Sequence, residues 1–188
     1  MIRIGILGDI GSGKSYVANE FGYPVFNADK EVSELYKKDI TIYNKLKKAL
    51  PKYINAFPID KKEISNAILS NKNNLKKIIK IVHLEIRKKL NIFLKKNKKK
   101  KFVILDIPIL LENKINQKKD ILIFIQSKKD DIYKRLKKRD NFNQKLLNLF
   151  KSIQYSLNYK KKKSKFIIKN NFTKKAVKKE IQKILKKI

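Results

Sequence analysis

The distribution of glycine is the feature that most constrains how this chain can fold. All 5 glycines of the 188-residue chain lie in one short segment, GILGDIGSGKSYVANEFG, at residues 5–22. Glycine allows positive φ angles and close approaches of the backbone that other residues resist. The cluster therefore indicates that the backbone of this segment adopts such angles or makes such contacts. The segment begins in an apolar run and continues into a helical pattern. It therefore predicts a strand, a tight turn and a helix.

The predicted turn has the spacing of a phosphate-binding loop. Gly8, four further residues, and then Gly13, Lys14 and Ser15 match the pattern G-x-x-x-x-G-K-[ST]. In such a loop backbone N–H groups surround a phosphate, the lysine contacts its oxygens, and the hydroxyl binds Mg²⁺. A purely structural turn does not explain the Lys-Ser pair. The candidate nucleotide-binding residues of the loop are Gly8, Gly11, Ser12, Gly13, Lys14, Ser15 and Tyr16.

Apolar runs alternate with helical patterns along the rest of the chain. The predicted strands cover residues 2–7, 23–28, 101–108, 121–126 and 165–171. Residues 29–100, 130–159 and the C-terminal segment have helical apolar spacing, and Asp60 with Glu63 predicts a capping box. Continuously apolar strands separated by helices are typical of a parallel sheet that is covered on both faces. The sequence therefore predicts an α/β fold with about five parallel strands.

Several polar residues that could act in catalysis or binding lie at or after the ends of the predicted strands, or in a predicted helix. Asp29 comes after the second strand, where its carboxylate can accept a proton from an attacking hydroxyl or cap the next helix. Asp106 ends the third strand, where it can hold Mg²⁺ through water or bind loop amides. Arg135 and Arg139 are four residues apart in a helical pattern. Both can reach the same phosphates, or they belong to an exposed basic face.

The order of these motifs resembles the dephospho-coenzyme A (dephospho-CoA) kinase family over almost the whole chain. The likeness is carried by GDIGSGKS, FGYPVFNADKEV, FPIDKKEISNAI, IVHLEIRKKL, FVILDIPILLE and RLKKRDN, followed by Gln154 and FIIKNN. The phosphate loop alone is common to many families, whereas the ordered set is specific. The chain departs from the family pattern at Asn27, Lys61, Leu84 and Tyr16, where the family has aspartate, arginine, proline and threonine.

The resemblance implies a P-loop kinase fold and ATP-dependent phosphorylation of the ribose 3′-hydroxyl of dephospho-CoA. It implies that Asp29 is the catalytic base and that Lys14 and Arg139 act on the transferred phosphoryl group. It implies that Arg135 contacts ATP and that Ser15 and Asp106 bind Mg²⁺. The acceptor contacts that it implies are Asp29, Lys61, His83, Arg87 and Pro108. His83 stands in an apolar helical pattern, which is also typical of a histidine used for packing.

The resemblance also divides the chain into regions. We predict a single domain over residues 1–188, whose core comprises residues 1–29, 101–133 and 160–188. Residues 30–100 are predicted to form a helical acceptor-binding region, and residues 134–150 a lid that closes over ATP and excludes water.

The net charge of +33 raises a second class of function. Such a charge is typical of proteins that bind nucleic acid, so a nucleic-acid-binding P-loop ATPase is one alternative. Recognition of bases and phosphates depends on arginine, and the 49 basic residues include few of them. They are Arg3, Arg87, Arg135 and Arg139. We therefore predict at most nonspecific nucleic-acid binding through the lysine-rich surface.

Another P-loop kinase, acting on nucleosides or nucleotides, is the second alternative. A monophosphate acceptor would require several arginines within residues 30–100, where only Arg87 occurs. The chain contains no cysteine, and its apolar runs are too short to span a bilayer. We therefore predict a cytoplasmic, monomeric enzyme with small-molecule substrates and no membrane partner.

Overall fold

The computed structural model describes residues 1–140 and 142–188, which form two compact units. The sheet unit comprises Met1–Asn27, Asn97–Asn143 and Phe150–Ile188, and the helical unit comprises Ala28–Lys96 and Gln144–Leu149. Asn141, which ends the RLKKRDN motif and belongs to the predicted lid, lies outside the described residues. None of the helices within the described ranges has the length and apolar character of a membrane span.

The sheet unit is built on five parallel strands in the order β2-β3-β1-β4-β5. The strands are β1 (Ile2–Gly8), β2 (Val25–Asn27), β3 (Phe102–Asp106), β4 (Ile121–Gln126) and β5 (Phe166–Lys169). Every residue of β3 is buried, as expected for a central strand with both faces covered. The predicted α/β class and parallel sheet are confirmed.

Helices flank this sheet and make up most of the second unit. Their bounds are α1 (Lys14–Glu20), α2 (Ala28–Lys38), α3 (Ile40–Ala49), α4 (Lys61–Ser70), α5 (Lys72–Lys96), α6 (Lys129–Lys137), α7 (Gln144–Ser152), α8 (Leu157–Lys163) and α9 (Lys174–Leu185). The stretch 130–159, which was expected to be helical, is divided among α6, α7 and α8. The Ser156 hydroxyl accepts a hydrogen bond from Tyr159 N and begins α8 anew.

The core of the sheet unit lies between the strands and the helices α1 and α9. Val17 and Ala18 of α1 and Val177 of α9 are fully buried against strand residues such as Ile4 and Ile123. These apolar contacts hold α1, whose first residue is Lys14, in a fixed position at the end of β1.

The helical unit is organised around α5, a helix of 25 residues. Its predicted apolar face is buried at Leu75, Ile78, Val82, Ile86 and Leu90. Ile79 and Phe93 of the same predicted face are half-buried. Asn74 is also buried. Its side-chain amide donates to Ala67 O at 2.8 Å, which gives the buried polar group a partner and attaches α5 to α4.

The start of α4 differs from the prediction in one respect. Asp60 is the N-cap, and its side chain accepts a hydrogen bond from Lys62 N at 2.8 Å. Glu63 does not complete a capping box, because its carboxylate accepts from Asn55 N at 2.9 Å instead. The prediction of a capping box was wrong, because the preceding loop places Asn55 N next to the Glu63 carboxylate as a competing donor.

One lysine is among the fully buried side chains of the sheet unit. Lys160 on α8 is 1% exposed, and its Nζ lies 3.0 Å from Glu112 Oε1. The same ammonium donates to Gln154 Oε1 at 2.7 Å, and Glu112 also accepts from Tyr155 N at 2.8 Å. A buried charge requires such partners to offset its lost hydration. This cluster therefore attaches α8 to the segment that follows β3.

We expect Lys160→Met to lower the free energy of unfolding by about 3–5 kcal/mol, because the buried Glu112 carboxylate would lose its partner. Adding Glu112→Gln should restore much of this loss, since a neutral amide needs no counter-charge. Lys162→Met, at an exposed position of the same helix, is the matched control. Urea unfolding measures all three variants. Equal stability of Lys160→Met and Lys162→Met would contradict the importance of the pair.

Candidate active site

The phosphate loop connects the end of the central strand β1 to the start of α1. Gly8, Gly11 and Gly13 have φ angles of 151°, 87° and 87°. The helix α6 packs directly on the loop, because a Cβ placed on Gly11 would lie 2.9 Å from Leu136 Cγ and 3.0 Å from Ile132 Cγ2. A larger residue would therefore separate the loop from the helix that carries Arg135.

The side chain of Lys14 folds back over this loop. Its Nζ donates to Gly8 O at 3.2 Å and to Asp9 O at 2.7 Å. Gly13 is the N-cap of α1 and offers no side chain to cap the first turn. Ser15 is exposed, whereas Tyr16 is half-buried and packs against the core. The loop thus presents an ammonium and a hydroxyl next to its backbone amides.

Asp106 is a buried carboxylate beside the loop. It is 3% exposed, lies in register with Asn27 of β2, and accepts from Asn27 Nδ2 at 2.6 Å. Burial raises the pKa of Asp106, while a hydrogen bond from Ser15, the charge of Lys14 and the Asn27 amide oppose the rise. The structure therefore brings the two predicted metal ligands, Ser15 and Asp106, together. Asn27 is a member of this site that the sequence analysis missed.

The donor set around Asp106 suits Mg²⁺. A carboxylate and a hydroxyl are hard oxygen ligands, which Mg²⁺ prefers. Within residues 1–140 and 142–188 no three acidic, histidine or cysteine side chains are grouped to form a closed metal site. Mg²⁺ usually takes few protein ligands and completes its shell with phosphates and water.

The two predicted lid arginines lie at the end of α6. Arg135 is on the helix, and its guanidinium carbon is 4.3 Å from the centroid of the Phe172 ring. Arg139 lies beyond the helix, which ends at Lys137. The prediction that both arginines share one helix was therefore wrong for Arg139. A turn replaces the helix there, because Arg139 N bonds to Leu136 O at 3.1 Å and Phe142 N bonds to Arg139 O at 2.9 Å.

Asp29 and most predicted acceptor contacts lie in the helical unit. Asp29 is exposed in the first turn of α2, which begins at Ala28, so it does not act as the N-cap. Lys61 is exposed at the start of α4. His83 and Arg87 lie one turn apart on α5, and Arg87 Nε donates to His83 Nε2 at 3.3 Å. Burial and the charge of Arg87 lower the pKa of His83.

Three further residues sit at the ends of strands in the sheet unit. Pro108, a predicted acceptor contact, is half-buried shortly after β3. Ser127 and Asn170 directly follow β4 and β5, and both donate to the carbonyl of Ser12 in the phosphate loop. Neither donor was predicted from the sequence. Ser127 follows the predicted strand at residues 121–126, which was a signal for it, whereas Asn170 lay inside the predicted strand at residues 165–171 and β5 ends at Lys169.

Comparison with known proteins identifies the family. The sequence model of the dephospho-CoA kinase family matches residues 2–176. The chain belongs to the dephospho-CoA kinase family. This membership confirms the resemblance that the ordered motifs predicted. It favours this family over a nucleic-acid-binding ATPase and over a kinase for nucleosides or nucleotides.

Individual relatives agree with this family assignment, and solved structures agree with the fold. The dephospho-CoA kinase of Wolbachia pipientis wMel is 35% identical over 187 residues, covering 97% of this chain and 95% of that protein. TT1252 from Thermus thermophilus has a TM-score of 0.76 at 22% identity and covers 100% of this chain and 97% of its own. The dephospho-CoA kinase from Campylobacter jejuni has a TM-score of 0.63 at 23% identity, with coverages of 98% and 96%. The two structures support the predicted fold class.

Proposed function

We propose that this chain transfers the γ-phosphoryl group of ATP to the ribose 3′-hydroxyl of dephospho-CoA, which yields coenzyme A and ADP. The observation that carries the proposal is the family match over residues 2–176. The arrangement of Lys14, Ser15 and Asp106 around the phosphate loop supports it, because phosphoryl transfer depends mainly on positioning and electrostatic stabilisation.

The phosphate loop is proposed to hold ATP. Backbone N–H groups of the loop would surround the β-phosphate, and the Lys14 ammonium would exchange its carbonyl partners for β- and γ-phosphate oxygens. Ser15 and Asp106 would hold Mg²⁺, which neutralises phosphate charge when it is bound. The residues assigned to ATP are Gly8, Gly11, Ser12, Gly13, Lys14, Ser15, Tyr16 and Arg135.

The carboxylate of Asp29 is proposed to accept the proton of the attacking hydroxyl. Asp29 is exposed and follows β2 by two residues, while Asn27 at the end of that strand cannot accept a proton. Lys61, Arg87, His83 and Pro108 are proposed to contact the acceptor. We assign acceptor binding to residues 30–100 and the lid to residues 134–150.

Arg139 is proposed to stabilise the charge that develops on the transferred group. Arg139→Lys retains the positive charge but loses the planar fork, so turnover should fall at least about tenfold with little change in the affinity for ATP. Lys138→Ala, one residue earlier, is the control for loss of a nearby charge. Steady-state kinetics with both substrates would measure the effect, and wild-type kinetics of Arg139→Lys would assign this residue to the solvated surface.

The overall proposal is tested by identifying the phosphorylated product. The chain would be incubated with ATP and Mg²⁺ and with either dephospho-CoA or a panel of nucleosides and nucleotides. The expected result is coenzyme A, which is dephospho-CoA phosphorylated at the ribose 3′-position, identified by ³¹P NMR and mass spectrometry. Phosphorylation of a nucleoside or nucleotide without turnover of dephospho-CoA would instead favour the alternative kinase.

Other properties of the chain stay predictions. We propose that it acts in the cytoplasm as a monomer and that nucleic acid binds its lysine-rich surface at most nonspecifically. Sedimentation tests the oligomeric state. Binding of DNA and RNA at several salt concentrations tests the second point, since nonspecific binding should disappear as the salt concentration rises.

A further inference from the structure

The carbonyl group of Ser12 in the phosphate loop is held by two side chains from the sheet. Ser127 Oγ donates to Ser12 O at 3.0 Å, and Asn170 Nδ2 donates to the same oxygen at 2.9 Å. Ser12 is 0% exposed and Asn170 is 3% exposed, so their bond is shielded from water, while Ser127 is half-buried. A carbonyl with two lone pairs is thereby satisfied from the ends of β4 and β5.

The direction of this carbonyl determines the direction of the next amide. A peptide bond is planar, and in its trans form the C=O and N–H groups point in opposite directions. Because Ser12 O is directed at Ser127 and Asn170, the N–H of Gly13 is directed away from them. Rotation of this one peptide would remove the Gly13 N–H from its present orientation.

We infer that Ser127 and Asn170 are positioning residues that hold the Gly13 N–H in the orientation that binds a phosphate of ATP. This inference rests on the proposed function, since it assigns a phosphate to the loop. Neither side chain needs to touch the nucleotide. Their effect passes through the Ser12–Gly13 peptide, which they preorganise before ATP arrives, so that binding does not require ordering of this donor.

The packing of Asn170 explains why the loop requires glycine at position 13. A Cβ placed on Gly13 would lie 2.5 Å from Asn170 Nδ2 and 3.2 Å from Phe172 Cε1. The amide that holds the Ser12 carbonyl therefore lies against the Cα of the residue whose N–H it orients. A side chain at Gly13 would displace Asn170 and release the peptide.

Asn170 also organises the turn that follows β5. Its Oδ1 accepts from Phe172 N at 2.8 Å, in a turn where Phe172 has a φ of 64°. A positive φ is unfavourable for a bulky residue and persists only where neighbouring contacts hold it. The two ends of one amide thus contact the phosphate loop and the turn beneath Arg135. A test must separate these two contacts.

Two variants separate them. Ser127→Ala removes one donor to Ser12 O without touching the turn. Asn170→Asp keeps the acceptor for Phe172 N but replaces the donor to Ser12 O by an oxygen. Asn171→Asp is the charge-matched control, because Asn171 is exposed and its Oδ1 accepts from Thr173 N and Oγ1, a role that aspartate keeps.

Calorimetric titration with ATP and Mg²⁺ measures the effect on binding. We expect the Kd for ATP to rise by up to about tenfold in Ser127→Ala and at least as much in Asn170→Asp, from the usual contribution of one hydrogen bond. Asn171→Asp should bind ATP as the wild type does. In kinetics, the KM for ATP should rise in the two variants while the KM for dephospho-CoA stays unchanged, which a general loss of stability would not produce.

Selective ¹⁵N-glycine labelling observes the loop directly, because the chain has only 5 glycines. The Gly13 amide resonance should shift in Ser127→Ala before nucleotide is added, and the Gly22 resonance should not. Gly22 is a suitable internal reference since a Cβ built there meets nothing within 4 Å.

The outcomes distinguish the positioning role from the proposed function. If the wild-type chain binds no ATP, the proposed function fails. If the wild type binds ATP but Ser127→Ala and Asn170→Asp bind it equally well with an unchanged Gly13 resonance, the positioning role is wrong and the proposed function stands. Should Asn170→Asp fail to fold, Ser127→Ala alone decides between these results.

Discussion

Lys14→Ala is expected to reduce phosphoryl transfer by at least about 10²–10³-fold, the usual effect of removing a preorganised charge-stabilising donor. Negative charge spreads over the oxygens of the transferred group in the transition state, and the Lys14 ammonium is the cation that the loop places among its own carbonyls. Turnover with saturating ATP is therefore the quantity to measure.

The fold should survive this substitution. The helix that carries Lys14 is held by Val17 and Ala18, both 0% exposed in the core of the sheet unit. The melting temperature should accordingly stay close to that of the wild type. Lys178→Ala is the control for the loss of one lysine charge, because Lys178 is exposed and its Nζ lies 3.9 Å from Glu20 Oε2. Equal turnover of Lys14→Ala and Lys178→Ala would contradict the assignment of the phosphate loop.

Asp29→Asn is the second change with a large expected effect. It removes a proton acceptor while preserving size, so turnover should fall about 10²–10⁴-fold, toward the lower end if the transition state is loose. Because Asp29 is exposed in the first turn of α2, its loss should change stability by about 1 kcal/mol or less. Binding of ATP should be unaffected.

Turnover, ATP affinity and melting temperature would be compared with those of Glu34→Gln. This control removes another carboxylate from the same helix, where Glu34 pairs with Lys38 at 2.7 Å. Full activity of Asp29→Asn would show that the proposed base is wrong. Asn27→Ala is not a neutral control, because Asn27 donates to Asp106 and its loss should impair the proposed metal site.

Features that depend on residues close in the chain were predictable from the sequence. The phosphate loop is defined by a spacing within eight residues, from Gly8 to Ser15, and its strand and helix follow from the adjacent apolar patterns. The predicted strand at residues 121–126 is β4 without change. The parallel sheet was also predictable, since fully apolar strands separated by helices require cover on both faces.

Local patterns failed where a competing partner came from elsewhere. Glu63 had the spacing of a capping box, but its carboxylate binds Asn55 N in the preceding loop. Lys160 stands in a run of four lysines that suggests a solvated surface, yet it is buried against Glu112. Spacing along a chain identifies which groups are available to bond, and does not show which of them are nearest in space.

The sequence by itself determined the strands, the phosphate loop and the family, because each depends on residue types at fixed short separations. Only the tertiary structure decided what surrounds the loop. The strand order β2-β3-β1-β4-β5 differs from the chain order, and it joins Asn27 to Asp106 across 79 residues and Ser12 to Asn170 across 158. Apolar periodicity shows that strands are buried and leaves their neighbours open, so these contacts between strand ends exist only once the sheet has formed.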